Sequence, residues 1–144
     1  MLLFNRDRVA GLVSEIRKAL GRLESLRVLN KEEFLRDTHK VSSAKYNLIV
    51  AIECAIDICT NVISQNGFRA PENYADTFKV LEEQGAFDSE LGSRLRSMAK
   101  FRNRLVHLYL EVDDSQVYEI LQTKLDDFKM FLNSLANFLN LGSI

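Results

Sequence analysis

Between Phe101 and Asp114 the chain reads FRNRLVHLYLEVDD, which places Arg102, Asn103, His107 and Tyr109 in one short stretch. A permanent cation near a titratable imidazole suits chemistry at a phosphodiester. Cutting RNA without a metal needs a base to take the 2′-hydroxyl proton and an acid to protonate the 5′-oxygen leaving group. It also needs positive charge on the pentacoordinate phosphorane. One chain supplies a single His107, because the other histidine, His39, sits in RDTHKVSSAKY and reads as a surface residue. Two chains about a two-fold axis would supply both proton carriers and two copies of Arg102 around one cleft. On an ideal helix His107 lies about 140° from Arg102, whereas Tyr109 lies only about 20° from it. Either the helix bends or unwinds near His107, or a second chain helps to build the site.

Arg102 is out of place for a second reason. Leu91, Leu95, Met98, Arg102, Leu105 and Tyr109 follow one another at spacings of three and four, so the arginine stands in a row of packing positions. A guanidinium keeps its proton and is costly to bury unpaired. It therefore needs a carboxylate, or it faces a cleft. Glu53 and Asp57, an i,i+4 pair on an otherwise apolar segment, are the carboxylates on offer. In a cleft, the planar fork of the guanidinium suits a phosphate. The two readings are compatible, since acidic partners can orient the arginine. From Ser93 to Leu110 there is no acidic residue, while Arg94, Arg96, Lys100, Arg102 and Arg104 are all cations. By charge alone, that pattern is better read as a solvated basic face balanced by acids elsewhere.

The elements that must position these residues are helical. Val9, Leu12, Val13, Ile16, Leu20, Leu23 and Leu26 mark an amphipathic helix from about Asn5 to Val28. Asn30 and Glu33 form a capping box for a short turn. A long helix follows, roughly Asp37 to Gln65, and YNLIVAIECAIDICTNVIS makes it the most buried one, with Gly67 as its stop. Pro71 suits the first turn of a helix over about Glu72 to Gln84, stopped by Gly85. Asp88 or Ser89 caps a helix from about Ser89 to Leu110, and Asp114 or Ser115 caps a last one reaching about Leu139. The expected fold is all-α, a single domain over residues 1–144. Four long helices form an antiparallel bundle with one short helix added.

Other chemistries find less support. No phosphate-cradling or nucleophile-elbow motif is present, and no His, Cys or Asp grouping has metal-ligand spacing, so neither cofactor nor metal is expected. Cys54 and Cys59 point about 140° apart on a helix and should stay free thiols, as suits a reducing compartment. A net charge of -1 gives no global pull toward nucleic acid, so any RNA contact must come from a local patch. The start of the chain is too short in apolar residues for a signal peptide, and no run of 18 apolar residues occurs. A cytoplasmic protein with no membrane partner is expected. Phe128, Phe131 and Phe138 form a stripe on the last helix that reads as core or dimer interface.

Arg102-Asn103, three further residues, then His107-Leu108-Tyr109 resembles the R-x4-H-x-Y motif of HepT-like toxins in the HEPN superfamily. YNLIVAIECAIDICTNVI, APENYADTFKVLEEQGAF and VHLYLEVDD are similar to the family's flanking segments, so the likeness covers most of the chain. The resemblance implies a four-helix bundle that dimerises with the motif at a cleft near the interface. It implies a metal-independent endoribonuclease, the toxin of a toxin–antitoxin pair. The partner would be a minimal nucleotidyltransferase that silences the toxin by transferring AMP to the motif tyrosine. Carried onto this chain, Arg102 and His107 are catalytic, Asn103 assists, and Tyr109 is both a site residue and the AMP acceptor. Glu53 and Asp57 are expected behind Arg102. A chain of this kind can instead use the same cleft to bind a nucleotide or the nucleotidyltransferase without turnover.

Overall fold

A computed structural model describes residues 1–142, which form seven α-helices and one 3-10 turn, with no strand among the described residues. Helix α1 (Arg6–Arg27) starts behind Asn5, whose side chain accepts from the Arg8 amide at 3.0 Å. Its apolar stripe from Val9 to Leu26 is buried. Helix α2 (Lys31–Arg36) is the short turn. Asn30 accepts from the Glu33 amide at 2.8 Å, and its side-chain amide donates to the Glu33 carboxylate at 3.0 Å. Helix α3 (Thr38–Asn66) is capped by Asp37 and ends on Gly67 at φ 64°, the left-handed region that glycine enters without strain.

α3 is the centre of the bundle and packs against α1, α2, α4 and α5 as well as the later α6. It is long and apolar enough to cross a membrane, but 56% of its most apolar stretch is buried by these neighbours. Side-chain pairs set the directions of the helices. Arg8 meets Asp57 while Arg22 meets Asn47, so α1 runs antiparallel to α3.

Helix α4 (Tyr74–Glu83) is shorter than its pattern suggests. Asn73 is the cap, accepting from the Asp76 amide at 2.8 Å, so Pro71 lies ahead of the helix and not in its first turn. Helix α5 (Ser89–His107) is capped by Asp88. α4 and α5 approach closely at Gly92, where a methyl group would collide with the Glu82 carboxylate that pairs with Arg96. That contact helps to hold α4 beside α5, with Tyr74 against Arg102.

Further expected boundaries move. α5 stops at His107 and not at Leu110. Leu108 leaves helical geometry at φ -128°, ψ 40°, and Tyr109–Glu111 form a 3-10 turn. The chain must turn there, because Val112 is buried and Asp113 caps the next helix by accepting from the Ser115 amide at 2.9 Å. The cap is therefore Asp113, one residue before Asp114. The final helix is two: α6 (Asp114–Thr123) and α7 (Leu125–Phe138), broken at Lys124. Neither glycine nor proline marks the break. α6 packs on α1, α2 and α3, whereas α7 packs on α1 and α5. Phe131 is fully buried, with ring centroids 6.1 Å from Phe78 and 5.6 Å from Phe87, and Phe128 is buried beside it. The aromatic stripe is therefore core at these two positions, while Phe138 is half-buried.

Candidate functional site

The C-terminal half of α5 brings the motif residues to one end of the bundle. Arg102 donates through Nε and Nη2 to the same Glu53 oxygen, at 3.0 and 2.5 Å. Nη1 donates to the Asn103 side-chain oxygen at 3.1 Å. The guanidinium carbon lies 4.7 Å from the centroid of the Tyr74 ring, a cation–π contact. The arginine side chain is 11% exposed and its carboxylate partner 43%, so the pair sits at an edge of the packed interior. Asp57, one turn along α3, reaches Arg8 at 3.9 Å instead of Arg102. Burial pushes the Asp57 carboxyl up, against the smaller opposite pull of Arg8. Of the two carboxylates offered to Arg102, Glu53 makes the contact and Asp57 does not.

Asn103 and His107 stand one turn apart on the same face of α5. Together with Thr60, Pro71, Tyr74 and Thr77 they line a hollow of about 530 Å³. Arg102 does not line it directly, but two of its neighbours, the Tyr74 ring and the Asn103 amide, do. The angular conflict between Arg102 and His107 is thus bridged by intervening groups. The helix does unwind, but only beyond His107, so the residue displaced is Tyr109. Its ring leaves the row of Arg102 and lies 4.3 Å from the Lys45 ammonium. Lys45 is buried and pairs with Asp114 at 3.0 Å. Tyr109 itself stays 39% exposed. His39 is exposed on the first turn of α3.

Two residues of this region escaped the sequence reading. Tyr74 carried no signal, because its role depends on α4 lying over Arg102. Lys45 did carry one. Lys45, Leu48 and Ile52 recur at helical spacing, and all three are buried. A lysine in that row is the same anomaly as an arginine in the row of Leu95 and Met98.

The basic run on α5 also divides. Arg94 pairs with Glu90 and Asp127, Arg96 with Glu82, and Arg102 with Glu53. Lys100 and Arg104 have no carboxylate partner among the described residues. Arg104 donates to the neutral Gln116 side chain at 3.1 Å. The thiols of Cys54 and Cys59 are free, and burial pushes that of Cys54 up to about 11, so it is no nucleophile at neutral pH.

The Ribonuclease HepT-like family profile matches residues 16–135, which takes in every helix from within α1 to α7. The chain belongs to the HepT-like ribonuclease family. One relative, the mRNA nuclease HepT of Shewanella oneidensis, is 25% identical over 127 residues, spanning 88% of this chain and 95% of that protein. Two solved structures share the fold. One is a tri-AMPylated HEPN toxin of Shewanella oneidensis in complex with an MNT antitoxin (TM-score 0.84, 24% identity, 91% of this chain and 98% of that one). The other is the cytosolic protein YutE of Bacillus subtilis (TM-score 0.83, 18% identity, 100% of this chain and 98% of that one). The all-α HEPN-like architecture expected from the sequence is therefore the architecture of this HepT-like chain.

Proposed function

We propose that this HepT-like chain is a metal-independent endoribonuclease that works as a homodimer in the cytoplasm. The observation that carries the reading is the hollow beside the end of α5, where His107 and Asn103 share a wall with Tyr74, on which Arg102 is stacked. His107 is exposed and free to exchange protons with a bound 2′-hydroxyl or 5′-oxygen. Arg102 supplies fixed charge to the phosphorane. Asn103 and Glu53 orient its fork. Each copy then gives one proton carrier to a shared cleft. Apolar groups at the end of α5 and just beyond it support a second copy as the covering partner: Val106, Leu108 and Leu110 are all exposed, Leu110 by 94%.

Tyr109 is the AMP acceptor in this reading. Its phenol oxygen attacks the α-phosphorus of a nucleoside triphosphate held by a minimal nucleotidyltransferase antitoxin, and pyrophosphate leaves. Lys45, fixed by Asp114, holds the ring from beneath. The added phosphate places negative charge and bulk beside the cleft, which repels RNA.

The test is expression of the wild type beside His107→Ala, scoring growth and RNA integrity, with purified protein assayed in EDTA. Growth arrest and cut RNA in the wild type alone are the expected result. Intact RNA with both proteins would sink the nuclease reading. A second reading, a non-catalytic nucleotide- or nucleotidyltransferase-binding protein, draws on the Arg102–Glu53 pair, since a guanidinium already neutralised can anchor a ligand without driving cleavage. It expects partner or nucleotide binding that depends on Arg102, with no cutting.

A further inference from the structure

The flank of α5 turned toward α6 and α7 carries a second groove, of about 390 Å³, which the motif does not use. Its floor is apolar, with Met98, Phe101 and Ile120. Lys100, Arg104 and Lys124 line it, and none of the three has a carboxylate partner among the described residues. The other three cations of the α5 run are all ion-paired. The uncommitted positive charge of this region is therefore concentrated in one groove.

That groove also holds a carboxylate. Asp127 lines it with a side chain only 4% exposed. Oδ1 meets Arg94 at 3.4 Å, while the buried Oδ2 meets no hydrogen-bond donor among the described residues. Such an oxygen is costly unless a donor reaches it. A plain anion would satisfy the cations and be repelled by Asp127. A nucleotide presents both requirements on one skeleton: phosphates for the rim and a base N–H for the buried oxygen. Its flat apolar face suits the floor, and the volume is that of a small-ligand site. Arg104 of this groove and His107 of the motif are one turn apart on α5, about 5 Å along the helix axis.

We infer that this groove is a nucleobase subsite for single-stranded RNA, in which Asp127 accepts from an exocyclic amine and Lys100, Arg104 and Lys124 hold the flanking phosphates. It sets the base preference of the cleavage proposed above, and so rests on that reading. A carboxylate accepts from the cytosine amine but meets an acceptor, O4, at the same place on uracil.

The test measures anisotropy of labelled 2′-O-methyl oligocytidine and oligouridine, each ten nucleotides long, whose blocked 2′-hydroxyls keep them intact, with the full chain in EDTA. The proteins are the wild type, Asp127→Asn and the double variant Lys100→Ala/Lys124→Ala, each checked for folding by circular dichroism. The wild type is expected to bind oligocytidine about tenfold tighter. Asp127→Asn, isosteric but able to donate as well as accept, should erase that preference. The double variant should weaken both oligomers alike and flatten the salt dependence by about 1.4 in the log–log slope. Unchanged preference in Asp127→Asn, with an unchanged slope in the double variant, overturns the subsite. If the wild type still cuts RNA in that case, the nuclease reading survives it. If RNA binding is unaffected by the variants but capture of the nucleotidyltransferase is lost, the groove is a protein-docking surface and the inference is wrong. Absence of any RNA binding or cutting by the wild type removes both readings together.

Discussion

Arg69 and Arg102 are both arginines held by carboxylates, and they do opposite work. Arg69 faces two acids. Nη1 and Nη2 grip the Asp76 carboxylate at 2.7 and 2.9 Å, and Nε meets Glu83 at 2.7 Å. The trio carries a net negative charge and has no use for an anion. It ties the loop before α4 to that helix. Arg102 faces one carboxylate, shares a single oxygen of it, and turns its remaining groups toward Asn103 and Tyr74 at the wall of the hollow. That pair is neutral, although Glu72 adds one carboxylate to the lining of the hollow. Saturation distinguishes a structural arginine from one available to a ligand.

Substitutions sharpen the contrast. The largest effect belongs to His107→Ala, which should lower RNA cleavage by about 10²–10⁴-fold while the chain elutes at the same size. Retained cleavage would move the proton transfer elsewhere. Tyr109→Phe keeps the ring on Lys45 and should cut RNA within a few-fold of the wild type. It should, however, take up no AMP from a co-expressed nucleotidyltransferase, as intact-protein mass reads directly. Arg102→Ala should lose about 10²–10³-fold in cleavage. Its effect on the unfolding midpoint should be modest, because Glu53 is left partly in water. Arg69→Ala should do the reverse, lowering the unfolding midpoint slightly with cleavage unchanged. Equal loss of activity in both arginine variants would break the comparison.

The smallest effect is an acid one. Arg69 and the Glu72 amide hold the Asp76 carboxyl down to about 2, below the ordinary 3.8. The contribution is therefore fully present above about pH 4 and is lost as pH falls toward about 2. Arg69→Ala should flatten the pH dependence of stability in that window, measured by urea unfolding at successive pH values. A wild-type slope in the variant would assign the window to other carboxylates.

The sequence by itself determined the helical class, the cap at Asn30, a cap at Asp88 or Ser89, the αL stop at Gly67 and the anomaly of Arg102. These follow from short-range rules: an apolar period, a side-chain oxygen three residues from an amide, a glycine where φ is positive. Tertiary structure alone decided the break at Lys124, the unwinding after His107 and the placing of Tyr74 against Arg102. It also chose Glu53 over Asp57, since two acids one turn apart look alike in sequence and differ only in what the neighbouring helices bring near. A helix ends where its own residues allow it, but it bends or breaks where two partners demand different directions. That demand comes from residues distant along the chain.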